Sequence, residues 1–304
     1  MQRTVFFLWL LMLLLVPLFA EATTVTDAAG ESIVITSSER IVSLNGSTTE
    51  ILFALGVGEN VVGCDASSTY PKNVREKLPS VGYQYRLNVE GILSLKPTLV
   101  IGRDDVKPPQ VIEQLRMAGV TVLLLREPRS FEGAKHRLRT IGEAVGCQKQ
   151  AIELITGLDA DIEKLDEKLN ANRTQQKVLF LYLRGPQTAF VLGKDSAPGA
   201  MFEIIGAENA AGDIKGSKPM TAEAVIAAQP DVYVLFTMGL ESIGGVDSLL
   251  KLPGLAHTPA GQNRRVVAMS GQYLSGFGPR CGRAALSLFH GIYEADGPCV
   301  VTDE

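Results

Sequence analysis

The sequence predicts an α/β protein of two lobes, each a mostly parallel sheet flanked by helices, joined by one long backbone helix. Three observations carry that expectation. Short apolar runs alternate with helical patterns along most of the chain. One segment near the middle keeps a single-faced helical period from Gln148 to Asn172. Two short motifs on one side of that segment recur, in the same order, on the other.

The apolar runs at residues 41–44, 99–101 and 122–125 read as buried strands, as do 178–181, 232–235 and 266–268. Helical segments such as 109–118 and 131–145 separate them, the alternation expected of βα units with parallel pairing. Between the two sets of strands, Ala151, Ile155, Leu158, Ile162, Leu165 and Leu169 step by three or four, with Asp and Lys on the opposite face. At ~1.5 Å per residue this helix is about 35 Å long. A rigid bridge between lobes is the simplest reading; a long surface helix within one domain fits the same pattern. The division that follows is a leader over 1–22, a first lobe over 23–147, a linking helix over 148–172, and a second lobe with its tail over 173–304.

The recurring motifs sharpen this. Glu90-Gly91-Ile92-Leu93-Ser94-Leu95-Lys96-Pro97 precedes one strand and Glu223-Ala224-Val225-Ile226-Ala227-Ala228-Gln229-Pro230 another, each Glu two places after a capping residue, Asn88 or Thr221. Glu59-Asn60-Val61-Val62-Gly63 and Glu208-Asn209-Ala210-Ala211-Gly212 form the second pair. The first pair is offset by 133 positions and the second by 149, so the first lobe holds about 16 extra residues between Gly63 and Glu90. Loops of that kind often carry function.

Composition narrows the function. Of 304 residues, 46% are hydrophobic and 20% charged, which suits a globular protein rather than a disordered one. Lys+Arg total 29 against Asp+Glu 33, so no basic excess exists to hold nucleic acid. Arg3, an apolar stretch over residues 5–19 and Ala20-Glu21-Ala22 make a cleavable export signal, since the stretch is shorter than the ~20 residues that span a bilayer. Cleavage removes Trp9, the only tryptophan. Cys64, Cys147, Cys281 and Cys299 could form two disulfides in any of three connectivities, or stay as free buried thiols.

Catalytic signatures are missing. His136, His257 and His290 show no metal-binding spacing, and neither a G-x-S-x-G elbow nor a Walker A loop is present. Ser47 and Glu50, in a strand-to-helix turn, have the spacing of a capping box.

Several motifs bring a known group of proteins into view. Arg40-Ile41-Val42-Ser43-Leu44, Thr48-Thr49-Glu50-Ile51-Leu52 and Ala54-Leu55-Gly56 resemble the opening of bacterial substrate-binding proteins of the cobalamin/siderophore/haem class, whose fold is the class III periplasmic binding protein type. Ser68-Thr69-Tyr70-Pro71, Leu78-Pro79-Ser80-Val81-Gly82-Tyr83, Gly239-Leu240-Glu241-Ser242-Ile243-Gly244-Gly245 and Gly276-Phe277-Gly278-Pro279-Arg280 are similar to the haem-binding members of haem uptake transporters. The similarity runs from about Arg40 to Tyr293.

On residue physics alone, Tyr70 packs beside the turn made by Pro71. The resemblance implies instead that it is the axial ligand of haem iron, a role open to phenolate oxygen toward hard ferric iron. Lys72 would then stabilise the anion or meet a propionate. Some relatives place a His just after the strand that follows the long helix; here that stretch reads Leu183-Arg184-Gly185-Pro186, and Arg184 is assigned to a propionate. Met238 is a cleft candidate because thioether ligates haem iron, with apolar packing as its other reading. Tyr83, Tyr85, Arg86, Tyr273 and Phe277 are expected to line the pocket. Glu90 and Glu223 are expected to dock into arginine pockets of an inner-membrane ABC permease, although an acid in a first helical turn is favoured by the helix dipole without any partner.

The resemblance therefore implies a monomeric periplasmic carrier that catalyses nothing, with haem as transported ligand. The alternatives are the same fold carrying cobalamin or a ferric siderophore, and an exported hydrolase, which needs a nucleophile–base pair that the sequence does not display.

Overall fold

The computed structural model describes residues 22–126, 128–172, 174–185 and 187–302. The expected export signal, but for its last residue, lies outside them. The first half begins with a hairpin of β1 (Thr23–Thr26) and β2 (Ser32–Ile35). It continues through β3 (Ile41–Ser43), α1 (Gly46–Ala54), β4 (Val61–Cys64), α2 (Val74–Lys77) and a second small hairpin, β5 (Gly82–Tyr83) with β6 (Arg86–Leu87). Then come α3 (Val89–Ser94), β7 (Leu99–Arg103), α4 (Gln110–Met117), β8 (Thr121–Leu125) and α5 (Phe131–Ala144). The long helix α6 (Gln148–Ala171) follows.

The second half contains β9 (Lys177–Leu183), β10 (Ala189–Leu192), α7 (Ala197–Ile204), β11 (Glu208–Asn209), β12 (Ser217–Pro219), α8 (Ala222–Ala228) and β13 (Val232–Phe236). It closes with α9 (Thr237–Ser242), α10 (Val246–Leu249), α11 (Pro259–Gln262), β14 (Val266–Met269), α12 (Gly271–Ser275), α13 (Cys281–Phe289) and β15 (Cys299–Val300).

The internal echo is visible as topology. The first sheet has the order β4-β3-β7-β8, all parallel. In the second, β11, β9, β13 and β14 pair in parallel in the corresponding order. Each Glu-Asn motif therefore leads into, or forms, the strand beside the first strand of its sheet. The other motif pair forms α3 and α8. Asn88 accepts the backbone N–H groups of Glu90 and Gly91, and Thr221 accepts that of Ala224. Both helices run out into a left-handed residue before proline, Lys96 at φ 48° and Gln229 at φ 44°. A proline next in the chain blocks further helix, so both segments stop at the same place.

The second sheet departs from a purely parallel plan. It is extended by β10, antiparallel to β9, and by β12, antiparallel to β10. β12 is exposed along its length and ends in Pro219, both properties of an edge strand. The extra residues of the first half form the turn carrying Tyr70, α2 and the β5–β6 hairpin.

Helix α6 spans 24 residues, and its expected stripe is the face that is covered. Ala151, Leu158 and Leu165 are buried, with Ile155, Ile162 and Leu169 packed beside them. It lies against α5 on one side and α13 on the other. Glycines make both approaches close: a Cβ at Gly142 of α5 would sit 2.5 Å from that of Ala151, and one at Gly282 of α13 would sit 2.8 Å from Leu158 Cδ1. The inner faces of the two sheets, represented by Ile41, Leu99 and Ile101 and by Phe180, Val234 and Val267, join these helices in one continuous hydrophobic core. Their outer faces bury separate clusters. All four cysteines carry free thiols. Burial pushes the Cys281 thiol up to about 12, which makes it an inert packing group.

Candidate functional site

Open parallel sheets present ligand sites beyond the carboxyl ends of their strands, where the backbone leaves the ladder. Here those ends carry most of the candidate residues. β4 leads to the turn with Tyr70, β9 to Arg184, β13 to Met238 and β14 to Gln272.

The Tyr70 turn is fixed on its own side by buried polar groups. Asp65 is fully buried and accepts the Ser67 N–H at 3.1 Å and the hydroxyls of Ser67 and Ser68 at 2.9 and 3.0 Å. Ser68 and Thr49 share a hydrogen bond of 2.7 Å, and Thr49 donates to Ser43 at 2.8 Å, tying the turn to α1 and β3. Burial pushes the Asp65 carboxyl above its ordinary value of 3.8, against the pull of the donors from Ser67 and Ser68. The folded chain thus holds the proton more tightly than the unfolded one. That contribution to stability is present below the unfolded value and is lost as pH rises through the folded one. Asp65→Asn should therefore gain on the wild type as pH climbs above 3.8, a trend that urea denaturation across the acid range will read. A gap independent of pH rules this out.

On its other side the turn meets the second half of the chain. The Oε1 of Gln272 accepts Thr69 N–H at 2.7 Å, Thr69 Oγ1 at 3.0 Å and Tyr70 N–H at 3.0 Å. Its Nε2 donates to Gly46 O at 2.9 Å and Glu50 Oε2 at 3.0 Å. Arg280 donates from Nε to Glu50 Oε1 at 2.7 Å and from Nη2 to Oε2 at 3.3 Å. The two side chains are only 12% and 4% exposed. The Arg280 guanidinium carbon lies 3.4 Å from the centre of the Tyr70 ring and 4.9 Å from that of Tyr273.

Ser47 and Glu50 accordingly do not form a capping box. The helix starts earlier, with Asn45 in the cap position, and Ser47 Oγ accepts Asn45 Nδ2 at 2.7 Å. Glu50 lies too far along α1 to reach back, and its carboxylate is taken by Arg280 and Gln272.

The remaining candidates fall into groups. Arg184 and Met238 share a cavity of about 470 Å³ with Tyr182, Phe236 and Ser242. Met238 is 74% exposed, and Phe236 packs edge-on to both Phe180 and Tyr182 beneath. Tyr70 and Pro71 border a different cavity of about 410 Å³, together with Arg280 and the α6 residues Glu153 and Asp161. No described residue hydrogen-bonds the Tyr70 hydroxyl. Lys72, Tyr83 and Arg86 are exposed and border neither of these two cavities. Tyr83 packs edge-on to Tyr85, whose hydroxyl donates to Asp105 at 3.1 Å. Burial opposes ionisation of Asp105, but the hydrogen bonds from Arg103 prevail and hold it below the usual carboxylate range.

Tyr273 and Phe277, expected to line the pocket, lie behind the Arg280 side of the site. They are 5% and 3% exposed and belong to the core. Tyr273 shares a hydrogen bond with Ser287, and the Phe277 carbonyl accepts Arg137. Glu90 and Glu223 stand exposed in the first turns of α3 and α8.

The profile of the periplasmic binding protein family matches residues 41–273. The chain belongs to that family. Among solved structures it is similar to the apo periplasmic heme-binding protein RhuT from Roseiflexus sp. RS-1, at 46% identity over 85% of this chain and 99% of that one, with a TM-score of 0.80. Among curated proteins it is similar to the uncharacterized ABC transporter substrate-binding lipoprotein YvrC of Bacillus subtilis, at 33% identity over 89% of this chain and 85% of that protein. A cobalamin-binding protein of Halobacterium salinarum is 27% identical over 84% of this chain and 70% of its own length.

As a periplasmic binding protein, the chain shows what sequence reasoning left out: Glu50, Gln272 and Arg280. Arg280 stood within a noted motif without a role, and Glu50 was assigned to a cap. Gln272 carries no local signal, because its partners lie more than 200 positions away.

Proposed function

We propose that this periplasmic binding protein captures ferric haem between its lobes and delivers it to an inner-membrane ABC transporter. The observation that carries the reading is Tyr70, a phenol without a described hydrogen-bond partner on a turn pinned from both sides at a strand end. A phenolate oxygen ligates ferric iron well, and iron offers the charge that replaces its proton. Arg184, exposed beside a cavity with an aromatic floor, supplies a planar cation for a propionate. Lys72 lies two residues past the ligand and serves the same purpose. Met238, Tyr83 and Arg86 are available at the ligand's edge as it seats. The lobes are residues 23–147 and 173–304, linked by 148–172, and Glu90 and Glu223 present one carboxylate from each to the permease. Because the core runs unbroken through α5, α6 and α13, only modest closure accompanies binding.

The relative that binds cobalamin makes the corrinoid the proper control. Visible absorption titrations of the mature chain with hemin and with cyanocobalamin should give a saturable Soret change for hemin alone. Saturation by the corrinoid with indifference to hemin overturns the assignment.

A further inference from the structure

The turn that carries Tyr70 belongs to the first half of the chain, yet its orientation is set by the second. Asp65 and the hydroxyls around it anchor the turn as far as Ser68 and no further. The N–H groups of both Thr69 and Tyr70 are taken by one atom, Gln272 Oε1, before the chain is picked up again by its own half, where Pro71 O accepts Val74 N–H at 3.0 Å. Beyond the backbone, the Tyr70 ring lies against the Arg280 guanidinium. That guanidinium is itself fixed by two bonds to Glu50, which returns the chain of contacts to the first half. The path from α1 to Tyr70 thus crosses the lobe junction twice.

We propose that Gln272 and Arg280 are positioning residues for Tyr70, and that they make its ligation of iron conditional on the lobes remaining docked. This rests on the assignment of Tyr70 as the iron ligand. Two effects act together. The backbone N–H groups of Thr69 and Tyr70 and the Thr69 hydroxyl all donate to one carboxamide oxygen, which fixes the chain leading into Tyr70. The Arg280 guanidinium, 3.4 Å from the ring centre, holds the plane of the ring by cation–π attraction. Separating the lobes withdraws both residues at once and leaves the Thr69 and Tyr70 amides without their acceptor, on a turn held only at its ends by Asp65 and α2. Cargo release then follows from lobe separation, without any group of the transporter having to reach the iron.

The test is a double-mutant cycle on hemin dissociation into excess haem-free globin, with the ferric absorption spectrum recorded alongside. Gln272→Leu should speed release on the order of tenfold, the effect of losing a net hydrogen bond or two, and should change the ferric spectrum. In a Tyr70→Phe background the same substitution should change neither. Equal acceleration in both backgrounds, or a wild-type rate and spectrum in Gln272→Leu, overturns the proposal. Should that variant fail to fold, Arg280→Lys answers the same question. It keeps a charge for Glu50 but removes the planar face, and its spectral change must likewise vanish in Tyr70→Phe. If Tyr70→Phe alone releases hemin at the wild-type rate, the ligand assignment is wrong and this inference goes with it.

Discussion

Tyr70→Phe is expected to lose the ferric-ligation spectrum and to weaken hemin binding by about 100-fold or more. The magnitude follows from metal sites in general, where changes to residues that merely support a ligand already cost 10–100-fold. Phenylalanine is the informative choice because it removes one oxygen and little else. The ring remains for the Arg280 guanidinium to lie against, and the two amide hydrogen bonds to Gln272 are made by backbone. No described residue loses a partner when the hydroxyl goes, so folding stability should be nearly unchanged. Soret titration gives the affinity and thermal unfolding gives the control. Undiminished affinity in a folded Tyr70→Phe protein would end the case for a tyrosinate carrier.

Much of this architecture was legible because it is local. A strand buried on both faces must be apolar throughout, so 99–101 and 232–235 announce themselves as β7 and β13. The stripe from Ala151 to Leu169 is equally local, since a helix that covers other elements with one face must space its apolar residues by three and four. Even the duplication survives as caps and stops, Asn88 with Lys96 and Thr221 with Gln229. What escaped is what depends on partners elsewhere. β10, mostly half-buried, and the exposed edge strand β12 beyond it are short, and their residues carry no alternation strong enough to read. Tyr273 and Phe277 have the composition of ligand wall and core alike; only the fold assigns them to core.

The site divides along the same line. Tyr70, Arg184 and Met238 follow strand ends, so their placement near a mouth is a consequence of βα alternation. Glu50 shows the opposite case. A Ser-x-x-Glu spacing is a local signal for a cap, and it was overruled by a partner 230 positions away. A charge that is already buried against the opposite lobe gains more from a bidentate guanidinium than from one backbone N–H.

That burial makes Glu50→Ala a large stability change, a loss of about 3–5 kcal/mol, the range for removing one partner of a buried ion pair. The substitution takes two hydrogen bonds from the Arg280 guanidinium, at 12% exposure, and an acceptor from Gln272 Nε2. Chemical denaturation will measure it as a lower midpoint at an unchanged slope. The cost belongs to a buried cation deprived of its carboxylate more than to the lost attraction, and this can be separated. Glu50→Ala combined with Arg280→Leu removes that buried cation as well and should recover part of the stability that Glu50→Ala alone loses, because desolvating a charge is itself expensive. If the double variant is as unstable as the sum of the two single variants, the pair has no coupling energy and the cost of Glu50→Ala does not come from Arg280. If Glu50→Ala costs no more than an exposed pair, within about 1 kcal/mol, then the junction is not closed as described. Either result also reports on cargo, since the residues that Glu50 steadies are those that lie against Tyr70.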